Sequence, residues 1–198
     1  QGQLMIIEAV DDRQDLYQVR NIIPKNLMDE LDNQVLEALP YTKQPWQETF
    51  ERRSLSIMPG SVFERINSFL YDQKQHIGDC INKKIQKLSS AFWFDTEGFS
   101  MTEHIDNPGV VIAMQIYLNE CPGAGTVFYD ISDEDVQEED NEQCYVYNGP
   151  MPPKKMRKTF EFTKNNGYIM INNKKQLHGF PKTLLENEKR LSAYCWIA

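Results

Sequence analysis

The sequence predicts an α+β fold in which helices support one face of a β core. Apolar residues recur at helical spacing in the first half of the chain, and from residue 91 onward the period becomes strand-like. Turn signals rich in Gly, Pro and Asn separate the segments of this second half. Many short strands at such spacing are typical of a sandwich, a jelly roll or a barrel.

The first strands and the first helix are expected within the opening 40 residues. Residues 5–10 and 16–19 have strand patterns. A helix is expected to begin at Pro24, a residue that is tolerated in the first turn, and to end at Pro40. Its apolar stripe consists of Leu27, Leu31, Val35, Leu36 and Leu39.

A second helical pattern covers residues 61–88. It opens with a capping box, because the Ser61 hydroxyl can accept a backbone N–H while Glu64 reaches back to the helix start. We expect two helices with a break near Gly78. His76 lies off the apolar stripe and is expected at the surface.

Eight strands are expected after residue 91. Their approximate ranges are 92–94, 99–105, 110–118, 126–129, 144–147, 159–162, 168–171 and 191–197. The acidic and polar segment 132–142 interrupts this pattern. We interpret it as a solvated insertion between two strands, with a lid at the mouth of the barrel as the alternative.

Composition limits the classes of function. The chain carries 21 Lys+Arg against 29 Asp+Glu, and its net charge of −8 disfavours binding to a nucleic-acid backbone. Apolar runs are shorter than the ~20 residues of a membrane span, and no secretory leader is seen. The four cysteines form no C-x-x-C pair and are expected as reduced thiols. We therefore expect a cytoplasmic protein with neither a membrane nor a nucleic acid as its partner.

Three histidines occur, and one begins the pattern His104-Ile105-Asp106. Residues i and i+2 of a strand point to the same side, so the imidazole and the carboxylate can reach one metal ion. About 0.4 such His-x-acid matches are expected by chance at this composition, so the pattern needs support. His178 offers it, since two His and one carboxylate bind Fe(II) and leave positions open for a cosubstrate.

Arg190 opens the last predicted strand, and Ser192 lies on the same face. A guanidinium directed into a barrel is costly unless it meets a carboxylate, which its planar fork can bind with two parallel hydrogen bonds. The Ser192 hydroxyl could bind the same carboxylate; the alternative for Arg190 is an exposed position. Candidates for the pocket wall are Trp93, Met114, Tyr117 and Trp196, each with an ordinary core position as its alternative.

Several segments resemble the iron- and 2-oxoglutarate-dependent oxygenases, in the prolyl 4-hydroxylase branch. The resemblance extends from about Phe94 to Ile197, and the order and spacing of its pieces make it specific. The pieces are His104-Ile105-Asp106-Asn107-Pro108, Ile116-Tyr117-Leu118-Asn119, Gly123-Ala124-Gly125-Thr126-Val127-Phe128, Gly167-Tyr168-Ile169-Met170-Ile171 leading to His178, and Arg190 through Trp196. The acidic segment 132–142 has no counterpart in this pattern.

The resemblance implies one oxygenase domain over residues 1–198. Its core would be a double-stranded β-helix (jelly-roll or cupin-like) in 91–198, supported by helices and strands in 5–90. The implied Fe(II) ligands are His104, Asp106 and His178, and the implied 2-oxoglutarate-binding residues are Arg190, Tyr117 and Ser192. The implied reaction consumes O₂, releases succinate and CO₂, and hydroxylates a peptidyl residue, first of all proline, with ascorbate as a further candidate cofactor.

Three alternatives belong to other classes. A cupin-like metalloenzyme could use the same fold and metal site without 2-oxoglutarate, although Arg190 would then have no function. A catalytically silent module could bind a peptide on the same fold. A nucleic-acid dealkylase is disfavoured by the net charge and by the single short basic cluster at 154–158.

Overall fold

The computed structural model describes residues 4–43, 51–136, 145–146 and 151–198. These residues form two facing β-sheets, with helices packed against the outer face of the larger sheet. None of the helices in these ranges is long and apolar enough to cross a membrane.

The strands and helices follow one another in an order close to the predicted one. The strands are β1 (Ile6–Ala9), β2 (Leu16–Arg20), β3 (Tyr41–Lys43), β4 (Arg52–Leu55), β5 (Leu88–Asp95), β6 (Met101–Ile105), β7 (Ile112–Tyr117), β8 (Val127–Ile131), β9 (Tyr145–Val146), β10 (Lys154–Thr159), β11 (Asn166–Ile171), β12 (Leu177–Phe180) and β13 (Arg190–Ile197). The helices are α1 (Lys25–Asp32), α2 (Val62–Asp72) and α3 (Lys74–Ile81). Short 3₁₀ turns occur at Leu36–Ala38 and Asp133–Asp135.

The sheets confirm the predicted double-stranded β-helix. The larger sheet has the strand order β1-β2-β11-β7-β13-β5-β4-β3, and the smaller has the order β10-β8-β12-β6-β9. Every neighbouring pair is antiparallel. Strands from distant parts of the sequence therefore lie side by side, which brings residues of the second half together between the sheets.

The first predicted helix is shorter than the apolar stripe suggested. α1 ends at Asp32, and Val35, which the stripe included, is 66% exposed. The Asn33 side chain donates to the Asp29 carbonyl at 3.2 Å, which satisfies one of the carbonyls left open at the helix end. Asn is a weak helix former for this reason, and the chain leaves the helix there.

The second helical pattern breaks at a different residue from the one predicted. Gln73, not Gly78, separates α2 from α3, and Asn82 ends α3 in the left-handed conformation with φ 54°. Gly78 lies inside α3, where a Cβ would come within 2.5 Å of the Lys83 carbonyl oxygen. The glycine therefore allows the chain to turn back over the helix end and does not interrupt the helix.

Two other predictions for this region are confirmed. The Ser61 hydroxyl accepts the Glu64 N–H at 3.3 Å, and the Glu64 carboxylate accepts the N–H of Gly60, as a capping box requires apart from a shift of one residue. His76 is exposed on α3. Its imidazole is thus separate from the two buried histidines.

Several strands differ from the predicted ones in existence or position. β3, β4 and β12 carry no clear alternation, and the strand expected at 159–162 is observed as β10, five residues earlier. β10 is a charged strand at the edge of the smaller sheet, where apolar alternation is not needed. The expected strand 144–147 is described only at β9. Residues 137–142 of the acidic segment lie outside the described residues, so the lid stays a prediction.

Alternating residues of the central strands pack into two different cores. On β7, Met114 and Ile116 join the cluster that the larger sheet forms with the helices. Ala113 and Tyr117, on the other face of the same strand, join the cluster between the two sheets. Aromatic rings of this cluster between the sheets fill one part of the space there. The candidate site lies beside them.

A β-bulge connects the smaller sheet to the N-terminal hairpin. The register between β10 and β8 shifts at Arg157, and its guanidinium is buried against the turn between β1 and β2. It donates to Asp11 at 2.8 and 2.9 Å and to Asp15 at 2.6 Å. This hydrogen bonding lowers the pKa of Asp11 well below its usual range.

The Asp11→Asn variant should be less stable at neutral pH by about 1 kcal/mol, since a charged hydrogen bond is lost at a partly exposed site. A carboxyl whose pKa is lowered by folding stabilises the folded state fully above about pH 4 and loses this effect as the pH falls. The free energy of unfolding of the variant should therefore decrease less than that of the parent between pH 6 and pH 3.

Urea unfolding at both pH values measures this difference. Asp12→Asn is the matched control, because Asp12 is the exposed neighbouring carboxylate. Equal pH dependence in the parent and in Asp11→Asn would show that the bulge contact does not contribute to stability.

Candidate metal centre

Two strands of the smaller sheet bring the predicted metal ligands together. His104 lies on β6 directly opposite His178 on β12, and Asp106 follows the end of β6. The three side chains are buried, and their ligand atoms all lie within 4.8 Å of one another. Cross-strand pairing thus joins two histidines that are far apart in the sequence.

A glycine allows β6 and β12 to approach at this point. Gly179 follows His178, and a Cβ at this position would lie 2.9 Å from both the Glu103 Cα and the Met101 carbonyl oxygen. The register between the strands also shifts here. Any larger residue would push β6 away, so Gly179 keeps the two histidine rings 4.6 Å apart between centroids.

Both imidazoles are oriented by backbone carbonyls. The Nδ1 atom of His104 is 2.8 Å from the Thr102 carbonyl oxygen, and that of His178 is 2.8 Å from the Gln176 carbonyl oxygen. A carbonyl oxygen can only accept, so each Nδ1 donates to its carbonyl, and Nε2 is the ring nitrogen that is directed at Asp106 and would bind a metal ion. The two Nε2 atoms lie 3.2 and 3.4 Å from Oδ1 of Asp106.

The electrostatic environment keeps Asp106 ionised. Burial would raise the pKa of this carboxyl, but the charge of His178 and the hydrogen bonds of both imidazoles hold it well below its usual range. Burial likewise opposes protonation of His178, whereas the Asp106 charge raises the pKa of the imidazole. A cation bound by all three groups would replace this mutual stabilisation.

Tyr194 holds the second oxygen of the same carboxylate. Its hydroxyl lies 3.3 Å from Oδ2 of Asp106. Burial, together with the Asp106 charge, raises the pKa of Tyr194 well above its ordinary value, so the hydroxyl remains a donor. Oδ2 is thereby engaged, and Oδ1 is directed to the imidazoles.

Asn172 fixes the turn that carries Asp106. Its Nδ2 atom donates to the carbonyl oxygens of Asp106, Asn107 and Val110, at 3.3, 3.1 and 2.9 Å. A single amide group thus holds three points of one turn. The position of the carboxylate therefore depends on β11, which Asn172 follows.

The triad opens into a cavity of about 230 Å³ between the sheets. The cavity is lined by Arg52, Trp93, Phe99, Met101, His104, Asp106, Asn107, Val110, Gln115, Thr126, Tyr168, His178, Gly179, Phe180, Arg190, Tyr194 and Trp196. Most of these residues are aromatic or polar. Such a mixture is typical of a site that excludes water and fixes a polar ligand by a few contacts.

Arg190 is the buried cation of this cavity. The residue is 2% exposed, and no group in the described part of the chain hydrogen-bonds to its Nε or Nη1 atoms. The rings of Phe180 and Phe162 lie 4.3 and 4.8 Å from the guanidinium. Burial lowers the pKa of Arg190, although the nearby Asp95 charge opposes this shift, which expresses the cost of a buried guanidinium without a hydrogen-bonded counterion. An anion in the cavity would supply one.

A hydrogen-bonded network forms the polar wall beside Arg190. The Gln115 amide donates to the Ser192 hydroxyl at 3.0 Å and accepts from the Tyr168 hydroxyl at 3.0 Å. The Tyr117 hydroxyl donates to Oγ1 of Thr126 at 3.0 Å and accepts the Thr126 N–H at 3.1 Å. Gln115, Thr126 and Tyr168 line the cavity, whereas Tyr117 and Ser192 support this wall from behind.

Some of the pocket candidates predicted from the sequence line the cavity, and others do not. Trp93 and Trp196 line the cavity, but Met114 lies on the opposite face of β7, in the core against the helices. Five further residues that line the cavity were not predicted from the sequence: Arg52, Gln115, Thr126, Tyr168 and Tyr194. Tyr194 had a usable signal, since it shares the parity of Arg190 and Ser192 on β13.

Tyr194→Phe should weaken metal binding by about tenfold, because partners that orient a ligand are worth 10- to 100-fold in affinity. Titration with Mn²⁺ or Co²⁺ followed by calorimetry measures the dissociation constant. Tyr71→Phe is the control, since Tyr71 is half-exposed on α2. An unchanged affinity in Tyr194→Phe would mean that the contact with Oδ2 does not position Asp106.

No protein-family model and no curated protein sequence matches the chain. Solved structures do match it. A prolyl hydroxylase from Trichoplax adhaerens, in complex with a hypoxia-inducible-factor peptide, is 11% identical at a TM-score of 0.61 and covers 93% of this chain and 83% of its own. A prolyl-4-hydroxylase from Pseudomonas putida is 15% identical at a TM-score of 0.57 and covers 95% of both chains.

HygX from Streptomyces hygroscopicus, with nickel and 2-oxoglutarate bound, is a third match. It is 14% identical at a TM-score of 0.57 and covers 94% of this chain and 87% of its own. These similarities span nearly the whole chain, not only the strands that carry the motifs. The chain therefore has the fold of the iron- and 2-oxoglutarate-dependent oxygenases, and the resemblance indicated by the motifs is confirmed at the level of the fold.

Proposed function

We propose that this chain is an Fe(II)- and 2-oxoglutarate-dependent oxygenase that hydroxylates a peptidyl residue, with proline as the first candidate. One observation carries the proposal. A His-Asp-His cluster and a buried arginine without a hydrogen-bond partner at Nε and Nη1 line the same cavity. A metal ion and an anion are the ligands that these two groups require.

The donor set fits Fe(II). Two imidazole Nε2 atoms and one carboxylate oxygen, supplied by His104, His178 and Asp106, form the combination found in non-haem Fe(II) oxygenases. When bound, iron supplies the activation of O₂, coupled to conversion of 2-oxoglutarate to succinate and CO₂, and ascorbate is the candidate that keeps it reduced. The protein holds both rings and the carboxylate in position through Thr102, Gln176 and Tyr194.

Arg190 binds the carboxylate of 2-oxoglutarate that is remote from the metal. Its free guanidinium atoms can form a bidentate, charge-assisted pair in a water-poor cavity. Tyr117 and Ser192 act through the wall that they support, because Thr126 and Gln115 face the cavity. A dicarboxylate such as 2-oxoglutarate could therefore bind the metal ion with one end and Arg190 with the other.

The aromatic rings around the site exclude water. Trp93, Phe99, Phe180 and Trp196 line the cavity, and Trp196 is 38% exposed. Exclusion of water protects reactive species from side reactions and strengthens the electrostatic interactions inside. We infer that the substrate enters on the side of the partly exposed Trp196.

A peptide substrate is supported by the structural neighbours. The Trichoplax enzyme was solved with a peptide, and two further neighbours are described as prolyl hydroxylases. HygX, solved with hygromycin B, favours a small-molecule substrate as the second candidate. A cupin-like enzyme without 2-oxoglutarate would leave the Arg190 guanidinium without a ligand, and a silent module would not need the metal cluster.

Anaerobic titration with Fe(II) and 2-oxoglutarate should produce a visible metal-to-ligand charge-transfer band. His178→Ala should lose the band and bind metal more weakly by more than about 100-fold, since loss of a ligand exceeds the effect of losing an outer partner. His76→Ala is the control, because that histidine is exposed on α3. Metal binding without a band in the parent would contradict the use of 2-oxoglutarate.

Arg190→Met should bind metal normally and bind 2-oxoglutarate more weakly by about 100-fold. A factor of this size corresponds to the binding free energy that a buried, hydrogen-bonded charge contributes. Lys189→Met is the matched control, as the neighbouring residue is partly exposed and pairs with Glu37 at the surface. Calorimetry with Mn²⁺-loaded protein measures both constants. An unchanged affinity for 2-oxoglutarate in Arg190→Met would exclude this residue as the anchor.

Substrate class is tested with the same protein. Incubation with proline-containing peptides, Fe(II) and 2-oxoglutarate should add about 16 Da to a peptide in proportion to the succinate formed, as insertion of one oxygen atom requires. Peptides in which Ala replaces Pro are the control. Turnover of hygromycin B but of no peptide would favour the small-molecule alternative.

A further inference from the structure

We propose that Arg52 is a positioning residue that keeps Arg190 available for the anion by occupying the carboxylate of Asp95. This inference rests on the proposed function, because the anion is taken to be 2-oxoglutarate. It adds a role for two residues that the sequence patterns did not single out. The evidence is the arrangement of these three charges on three adjacent strands.

Strand register places both arginines beside the same carboxylate. Asp95 ends β5, and it is directly paired with Arg52 on β4 and with Arg190 on β13. The carboxylate is completely buried. Either guanidinium is therefore close enough to serve as its counterion.

Of the two arginines, only Arg52 hydrogen-bonds to the carboxylate. Arg52 donates to Oδ1 from Nε at 2.6 Å and to Oδ2 from Nη2 at 2.9 Å, a bidentate pair. The nearest atom of Arg190, Nη1, is 3.8 Å from Oδ2, which is beyond hydrogen-bond distance. Arg52 thus holds both oxygens, and Nε and Nη1 of Arg190 remain without a hydrogen-bond partner among the described residues.

Aromatic rings hold the two guanidinium groups in separate places. Phe99 lies 4.3 Å from the Arg52 guanidinium and 5.7 Å from that of Arg190. Trp93 also packs on Arg52, at 5.2 Å, and Phe180 packs on Arg190, at 4.3 Å. These contacts resist the movement of Arg190 toward Asp95.

Removal of Arg52 would change the partner of Asp95. A buried carboxylate without a counterion is strongly destabilised, and Arg190 is the remaining cation beside it. A shift of about 1 Å would bring Nη1 to hydrogen-bond distance. Arg190 would then be neutralised within the protein, and the anion would have to compete with Asp95 for it.

The charges also explain why an anion is needed. Two guanidinium groups and one carboxylate leave one positive charge in excess, at a position where Asp95 and Arg190 are buried. The distal carboxylate of 2-oxoglutarate would balance it. If Arg52 were removed and Asp95 paired with Arg190, the floor of the cavity would no longer carry an excess positive charge.

A different role for Arg52 predicts a different result. Arg52 itself lines the cavity, so it could contact 2-oxoglutarate directly. In that case its loss would weaken binding whether or not Asp95 is present. In our proposal the affinity for 2-oxoglutarate falls because Asp95 pairs with Arg190. Removal of the Asp95 charge should therefore restore the affinity.

The experiment compares the parent with Arg52→Met, Asp95→Asn and the double variant. Each protein is loaded with Mn²⁺, and the dissociation constants for the metal and for 2-oxoglutarate are measured by calorimetry. Met retains an apolar stem against Phe99 and Trp93, and Asn retains the shape of Asp. Circular dichroism and thermal melting establish that each variant is folded.

Arg52→Met should bind 2-oxoglutarate at least about tenfold more weakly, as expected for competition by a close buried charge pair. The double variant should return to within about threefold of the parent, and metal affinity should not change, because the metal ligands lie on the other sheet. Asp95→Asn alone should bind 2-oxoglutarate at least as tightly as the parent, which tests the proposal even if Arg52→Met does not fold.

Three results would overturn the inference while leaving the proposed function intact. They are unchanged binding by Arg52→Met, weak binding that persists in the double variant, and weakened binding by Asp95→Asn alone. Failure of the parent protein to bind 2-oxoglutarate would instead overturn the proposed function, and this inference with it.

Discussion

The direct pairing of β6 with β12 is the contact on which the candidate site depends. It places His104 opposite His178, and the Asp106 carboxylate then lies within reach of both Nε2 atoms. Gly179 permits this pairing, because a side chain there would meet the backbone of β6. The site thus follows from one register, which a slip of a single residue would destroy by turning one imidazole to the other face.

Buried charge is the second constraint. The inner face of the larger sheet carries Asp95 and Arg190, and β4 adds Arg52. Buried ions are tolerated when they are paired, and here the pairing is complete for Asp95 but not for Arg190. A buried guanidinium without hydrogen-bond partners at Nε and Nη1 is a cost to the fold that a bound anion would reduce, so ligand binding and stability would be coupled.

Strand β13 contributes side chains both to the cavity between the sheets and to the core against the helices. Arg190, Ser192, Tyr194 and Trp196 face the cavity or its wall, while the intervening residues pack against the helices. The helices therefore stabilise the strand without approaching the site. Tyr194 contacts the Asp106 carboxylate, and Arg190 is the residue proposed to bind the anion, so a single strand would set the distance between the two halves of the proposed chemistry.

The sequence by itself determined the fold class, the capping of α2 and the candidate ligands, since these depend on local spacing and on the chemistry of a few residues. The alternation of side chains along a strand also determined that Arg190 and Ser192 share a face, but it does not determine which face points inward. Only the tertiary structure decided that Met114 packs against the helices and that Tyr117 lies behind Thr126. It also decided that Arg52 and Arg190 flank Asp95. The reason is that register between distant strands depends on packing across the whole sheet, which no short segment encodes.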